Sequence, residues 1–338
     1  MKKTILVTGG SGLVGSAIKS IHHNYPNYNF IFVSSKMCNL LDYNQTLEFF
    51  KLSKPDYVIH LAANVGGLFK NMKYPVNMLE DNLLINTNVL KVSNEINIES
   101  LIACLSTCIF PDKIEGKSSP SDLQPSASGQ TIKESDLHKG PPHESNASYA
   151  YAKRMLQVQC DAYNKQYGRK YVCVIPTNIY GPNDNFNLEN SHVIPGLIHK
   201  CFLAKESNNK FIVSGSGKPL RQFIYSEDLA KMIMWFLELN LKRHDNDLIT
   251  SIILSPDESD EISIAEIAKL IAKKFNYEHM IEFDTTKSDG QYKKTVDNSL
   301  FRSFNLDYKF IDITKGLDIT IDWFKTNFLN NKINGFKN

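Results

Sequence analysis

The sequence predicts an α/β protein: a doubly wound parallel sheet with a smaller α/β lobe attached to it. Three observations carry this expectation. Short β-rich runs alternate with longer helical patterns up to residue 180. A glycine-rich turn stands at the first junction between the two kinds of element. After Pro176 the rhythm breaks, and Asn, Gly, Pro and His become frequent.

Taken in order, the predicted strands are KTILVT, NFIFVS, YVIHLA, LIACLS and YVCVIP, and the helices lie near 12–24, 43–53, 76–97 and 148–168. Such alternation implies right-handed crossovers and a sheet covered on both faces. Beyond Pro176 a helical stretch is expected at 192–205, and SEDLAKMIMWFLEL reads as a helix returning to the first lobe. Ser263 and Glu266 form a capping box ahead of Ile264, Ile267, Ile271 and Phe275, which fixes a further helix. The division that follows is a first lobe of 1–180 plus about 222–250, and a second of 181–221 plus about 251–330. The stretch GKSSPSDLQPSASGQ, 116–130, is polar and rich in Pro, Ser and Gly, and reads as a mobile surface loop.

At 338 residues the chain is long enough for two lobes, and 42% apolar with 22% charged residues is ordinary globular composition. A net charge of +2 argues against a nucleic-acid groove or a polybasic membrane patch. The apolar run in MKKTILVTGG is too short for an export signal and reads as a first strand. The six cysteines form no CxxC and no cluster with zinc-ligand spacing, so a reduced cytoplasmic setting and no metal are expected.

TILVTGGSGLVGSAI places Gly9, Gly12 and Gly15 between a strand and a helix. There, glycines let the backbone turn tightly and bring a pyrophosphate to the helix N-terminus. The turn Gly9, Gly10, Ser11, Gly12, Leu13, Val14 and Gly15 is thus a candidate dinucleotide cradle of the Rossmann type. A carboxylate about 20 residues further on would bind a free ribose 2′-hydroxyl. No Asp or Glu occurs from Ser16 to Leu41, and the second strand ends in Ser34, Ser35 and Lys36. Hydroxyls and a cation suit a 2′-phosphate, so NADP(H) is the expected cofactor.

SNASYAYAKRM sets Tyr149 and Lys153 four apart on a predicted helix, hence on one face. An ammonium group near a phenol favours phenolate and is expected to lower the tyrosine pKa. Tyr151 is two residues from Lys153 and faces elsewhere. Cys108 stands in ACLSTCIFPDK at the tip of the fourth strand. A buried cysteine is usually core filling, which is the reading for Cys104. His60, inside a strand, reads as a satisfied core residue, and His199 carries little signal.

With the glycine turn, Ser106, Tyr149 and Lys153 in place, nearly the whole chain resembles the extended short-chain dehydrogenase/reductase superfamily. Within it, STCIFP, GPPHESN, YAKRM, PTNIYGP and SHVIPGLIHK resemble enzymes that epimerise and reduce a GDP-bound 4-keto-6-deoxyhexose. Related dehydratases carry Ser-Thr-Asp-Glu where this chain has Ser-Thr-Cys-Ile, which disfavours elimination of water. The resemblance implies NADPH-dependent inversion at C3 and C5 and reduction at C4, converting GDP-4-keto-6-deoxy-D-mannose to GDP-L-fucose. It implies that Ser106 bonds the carbonyl, Cys108 is the base, His192 the acid, Tyr149 the proton carrier, and Lys153 the holder of tyrosine and cofactor. It places Leu61, Ala62 and Ala63, with Pro176, Thr177, Asn178 and Ile179, beside the cofactor. It places His192, Lys200, Arg221 and Asp289 on the GDP-sugar, and it implies a homodimer formed through the helices near 76–97 and 148–168. Another nucleotide-hexose epimerase or reductase stays open as an alternative, as does a non-catalytic NADP-binding regulator, although intact Ser106, Tyr149 and Lys153 count against a regulator. Two departures stand out: Ser214 replaces a tryptophan, and the segment between Phe110 and Tyr149 is long.

Overall fold

The computed structural model describes residues 2–113, 131–244, 247–287, 289 and 292–330. The polar stretch 116–130 lies outside them. In chain order the elements begin β1 (Lys3–Thr8), α1 (Leu13–Ile21), β2 (Tyr28–Val33), α2 (Tyr43–Ser53), β3 (Tyr57–His60), α3 (Leu68–Lys73), α4 (Pro75–Glu95), β4 (Ser100–Cys104), α5 (Ala147–Tyr167) and β5 (Lys170–Pro176). There follow β6 (Asn178–Tyr180), α6 (Val193–Glu206), β7 (Phe211–Ser214), β8 (Leu220–Arg221), β9 (Phe223–Tyr225), α7 (Ser226–Leu241) and β10 (Ser251–Leu254). The chain closes with β11 (Ile262–Ser263), α8 (Ile264–Lys274), β12 (Ile281–Asp284), α9 (Ser299–Phe304) and α10 (Ile313–Leu329).

Six strands form one sheet in the order β10-β5-β4-β3-β1-β2. Every pairing in it is parallel. The chain leaves β1 toward β2 and returns past it to β3, so the winding reverses at β1, as in a doubly wound sheet. Strands β3 and β4 are buried along their whole length. Continuous Val/Ile/Leu runs such as these belong to strands covered on both faces. On one face, Leu6, Val58, Leu101 and Tyr171 pack with Leu90, Leu156 and Cys160 of α4 and α5. On the other, Ile5, Ile59, Ile102 and Val172 pack with α1 and α7 through Ile18, Ile233 and Phe236. Each fully buried side chain of this size contributes about 1.5–3 kcal/mol of transfer free energy.

The helix ends follow local chemistry. The Asp42 carboxylate accepts from the Gln45 N–H at the start of α2. Gly168 takes φ 62° after α5, a left-handed turn that glycine adopts without Cβ strain. Ser263 and Glu266 close the predicted capping box at 3.1 Å and 3.0 Å.

A third core holds the second lobe, where α6, α8 and α10 pack through Ile198, Ile267, Ile271, Ile321 and Phe324. Three two-stranded sheets, β11–β8, β12–β7 and β6–β9, complete it. The expected boundary at about 251 needs correction. Strand β10 pairs in parallel with β5, and Phe301 of α9 packs in the same core as β10's Ile252 and Leu254. Residues 251–254 and 299–304 therefore extend the first lobe, because an exposed edge on β5 would leave a row of backbone groups unpaired.

Candidate active site

The glycine turn sits at the C-terminal end of β1, where the sheet reverses. Gly9 has φ +68°, and a Cβ on it would lie 2.9 Å from the Ala62 nitrogen at the end of β3. A Cβ on Gly15 would overlap the Gly9 carbonyl oxygen and approach the Gly10 Cα to 2.6 Å. Gly12 caps α1 with no side-chain acceptor, and no acid stands in the first turn. The first N–H groups of this helix are thereby left for an external anion. Thr8 Oγ1 accepts from the Leu61 and Ala62 N–H groups at 3.2 Å each, and holds His60 Nδ1 at 2.8 Å. His60 Nε2 lies 3.1 Å from Asn86 Oδ1. Burial lowers its pKa to about 3, so it is a neutral core residue that ties β1 to β3 and α4.

Further along the sheet, Thr177 is buried and its hydroxyl has no partner among the described residues. It stands between Pro176, which ends β5, and Asn178 and Ile179 of β6, with Asn178 Nδ2 donating to the Gln222 carbonyl at 3.0 Å. Ser35 and Lys36 are exposed past the end of β2, and Ala63 is half-buried beyond β3. The glycine cradle, the open helix end, the unpartnered hydroxyl and the exposed cation all fit a phosphorylated dinucleotide.

The catalytic candidates come from the next strand and helix. Strand β4 ends at Cys104, earlier than expected, and Ser106 caps a single helical turn, Thr107–Ile109. Ser106 Oγ accepts from the Cys108 N–H at 3.4 Å, and the half-buried Cys108 packs against the edge of the first core. Five of the six cysteines are buried, and Cys108 is the exception. Cys104 lies in the core. On α5, Lys153 is buried, donates from Nζ to the Cys104 carbonyl at 2.8 Å, and lies 5.9 Å from the Tyr149 ring centre. Tyr151 points out to solvent, with the Arg154 guanidinium 5.6 Å from its ring centre.

The electrostatics run against the expected lowering of the Tyr149 pKa. Burial pushes Tyr149 well above the usual phenol range, and the Cys108 and Cys104 thiols push the same way. Burial also lowers the pKa of Lys153. Tyr149 is a neutral phenol and hence a proton donor. Burial likewise raises Cys108; the charges of Lys294 and Lys153 and the Ser106 hydroxyl pull it down without overcoming burial. His192 exposes its side chain yet sits among enough protein for burial to lower its imidazole pKa. Among the described residues, no hydrogen bond or charge joins His192 to the Ser106–Cys108–Tyr149–Lys153 group.

The second lobe supplies the other candidates. Lys200 is half-buried on α6. Arg221 donates to the Leu220 carbonyl at 2.7 Å, and burial lowers its pKa against the pull of Glu261. Both carboxylate oxygens of Asp289 are engaged by Ser216, through its N–H at 2.6 Å and its hydroxyl at 2.7 Å, so Asp289 braces the Gly215–Gly217 turn. Lys294 went unnoticed in the sequence. It is the cation that acts most on Cys108, and it also feels Arg221, Asp112 and Arg154. The Lys293–Lys294 doublet was its only trace. Lys293 is the structural member, paired with Glu258 at 3.0 Å and Glu261 at 3.3 Å. Among the described residues no group of three or more His, Cys, Asp or Glu could hold a metal ion.

Residues 5–248 match the model of the NAD dependent epimerase/dehydratase family. A GDP-L-fucose synthase of Dictyostelium discoideum is 46% identical over 97% of this chain and 97% of its own length. A probable GDP-L-fucose synthase of Drosophila melanogaster is 44% identical over 96% of this chain and 98% of its own. The crystal structure of a GDP-L-fucose synthetase from Naegleria fowleri bound to NADP superposes with a TM-score of 0.85 at 40% identity, covering 98% of this chain and 95% of that one. With this fold, this glycine turn and these relatives, the chain belongs to the NAD dependent epimerase/dehydratase family, in the group of the GDP-L-fucose synthases.

Proposed function

We propose that the chain uses NADPH to convert GDP-4-keto-6-deoxy-D-mannose to GDP-L-fucose, inverting C3 and C5 and reducing C4. The observation that carries this reading is Cys108: a partly exposed thiol beside a Ser–Tyr–Lys group, where a dehydratase would need carboxylates. Hydrogens on the carbons flanking a ketone are acidic, because the enolate places its charge on the carbonyl oxygen. The Cys108 thiolate takes the proton from C3 or C5, and His192 returns one to the opposite face. The Ser106 and Tyr149 hydroxyls donate to the enolate oxygen. Bound NADPH supplies the hydride for C4. Tyr149, held neutral by burial, gives its proton to the new alkoxide oxygen.

Lys200, Arg221 and Lys294 bring cations to the second lobe, which suits the diphosphate of a GDP-sugar. The Gly9–Gly15 turn, Lys36 and the unpartnered Thr177 hydroxyl take the dinucleotide. This assigns NADP(H) to the first lobe and the GDP-sugar to the second. Incubation with NADPH and the keto-sugar, followed by NMR of the product, tests the reading. GDP-L-fucose with matching loss of NADPH absorbance is expected, and binding of NADPH without turnover would leave only a cofactor-binding regulator.

The working form is a homodimer in which α4 and α5 pack against the same helices of a second copy. Exposed apolar side chains on these helices support it: Val76 and Leu84 on α4, Met155 and Val158 on α5. Light scattering of the purified chain should give twice the mass of the 338-residue chain. The place of action is the cytoplasm, where NADPH and free thiols coexist; all six cysteines are free. Among the described residues no helix is long and apolar enough to cross a membrane.

A further inference from the structure

The segment between β3 and α3 reaches across to the loop that ends at His192. The Gly67 N–H donates to the Asn190 carbonyl at 2.9 Å. Gly67 has φ −65° and ψ −178°, an extended conformation open to any residue. Its lack of a side chain answers a different demand: a Cβ there would overlap the Ser191 carbonyl oxygen and lie 3.3 Å from its carbon. On the near side, the Asn71 amide donates to the Gly66 and Gly67 carbonyls at 2.9 Å and 3.0 Å, which fixes the glycine pair to α3. Across the gap, the Asn187 carbonyl accepts from the Asn190 and Ser191 N–H groups, and its side-chain oxygen accepts from Glu189 and Asn190. A Cβ on Gly196 would come within 2.7 Å of the Ser191 hydroxyl. Ser191 is thus held between two glycines of two elements, and the next residue is His192, whose carbonyl accepts from the Gly196 N–H at 3.0 Å.

We infer that Gly67 is a positioning residue: its contact with Asn190 and Ser191 sets where His192 stands relative to Cys108. The inference rests on the reading of His192 as the acid of the epimerisations. Among the described residues no direct hydrogen bond or charge joins His192 to the other catalytic candidates, so its placement depends on backbone contacts such as this one. A shift of about 1 Å at a reacting group costs on the order of 10²-fold in rate.

The test compares wild type, Gly67→Ala and Asn71→Ala for deuterium entry at C3 and C5 of the keto-sugar in D2O, for NADPH affinity, and for product configuration. In Gly67→Ala, exchange should fall on the order of 10²-fold while the NADPH dissociation constant stays within about twofold of wild type. The product should then contain sugar reduced at C4 without full inversion. Asn71→Ala, which removes two donors without adding bulk, should shift the product in the same direction by a smaller factor. Exchange and NADPH oxidation falling in parallel, with product configuration unchanged, would reduce Gly67 to a packing role and overturn the inference. A wild-type chain that exchanges no deuterium would instead remove the functional reading on which it rests.

Discussion

Replacing Gly15 with alanine probes the cofactor cradle at its tightest point. The new Cβ would stand 2.6 Å from the Gly10 Cα, against about 3.5 Å for a comfortable contact between carbons. Roughly 1 Å of movement is needed, and the opposing atoms are backbone, so no side chain can swing aside. Overpacking of this kind costs typically 1–3 kcal/mol. Since α1 is anchored in the core by Val14, Ala17 and Ile18, the glycine turn is the part that yields. The N–H groups lose their aim at the pyrophosphate, and at 1.4 kcal/mol per factor of ten the NADPH dissociation constant should rise about 5- to 100-fold. Quenching of intrinsic fluorescence on NADPH titration measures this directly. An unchanged constant, in a variant that melts within about 5 °C of wild type, would refute the placement of the cofactor on this turn.

Other expectations follow from the titrating groups. The competent pair, Cys108 thiolate with His192 imidazolium, holds as many protons as the resting pair of neutral thiol and neutral imidazole. With the thiol raised and the imidazole lowered, deuterium exchange at C3 and C5 should be level across the neutral range. It should fall below the imidazole pKa and above the thiol pKa; a profile climbing steeply through neutrality would contradict this. Lys294→Met removes the charge that most lowers the Cys108 pKa, so the alkaline limb should move to higher pH, and an unmoved limb would separate Lys294 from the thiol. His60 has a folded pKa of about 3 against 6.5 when free, so the unfolded chain binds the extra proton between those values. Stability is therefore full above pH ~6.5 and falls by about 1.4 kcal/mol per pH unit below it. Urea unfolding of wild type and His60→Gln at two pH values should show a shallower acid slope in the variant.

How far the sequence could be read depended on whether a signal was local. The Ser263–Glu266 capping box predicted α8 because cap and helix lie within four residues. The glycine turn and the Tyr149–Lys153 spacing were legible for the same reason, whereas the fourth strand was read two residues too long because Ser106 caps a helical turn instead of ending the strand. Strand β10 was not, because SIIL is four residues long and only its pairing with β5 gives it a place. The small sheets of the second lobe depend likewise on partners distant in the chain, such as β7 with β12. Lys294 reads as half of a lysine doublet until folding separates it from Lys293, which is held by Glu258 and Glu261. The pKa of Tyr149 was misjudged because spacing places Lys153 nearby but says nothing of the burial that penalises both charges.

The most direct measurement follows deuterium into the keto-sugar, carbon by carbon, in wild type, Cys108→Ala and Tyr149→Phe. Cys108→Ala should lose label at both C3 and C5, whereas Tyr149→Phe should retain part of the exchange and lose chiefly NADPH oxidation. Full labelling in the Cys108→Ala chain would show that another group removes those protons, and the proposed chemistry of this site would fail.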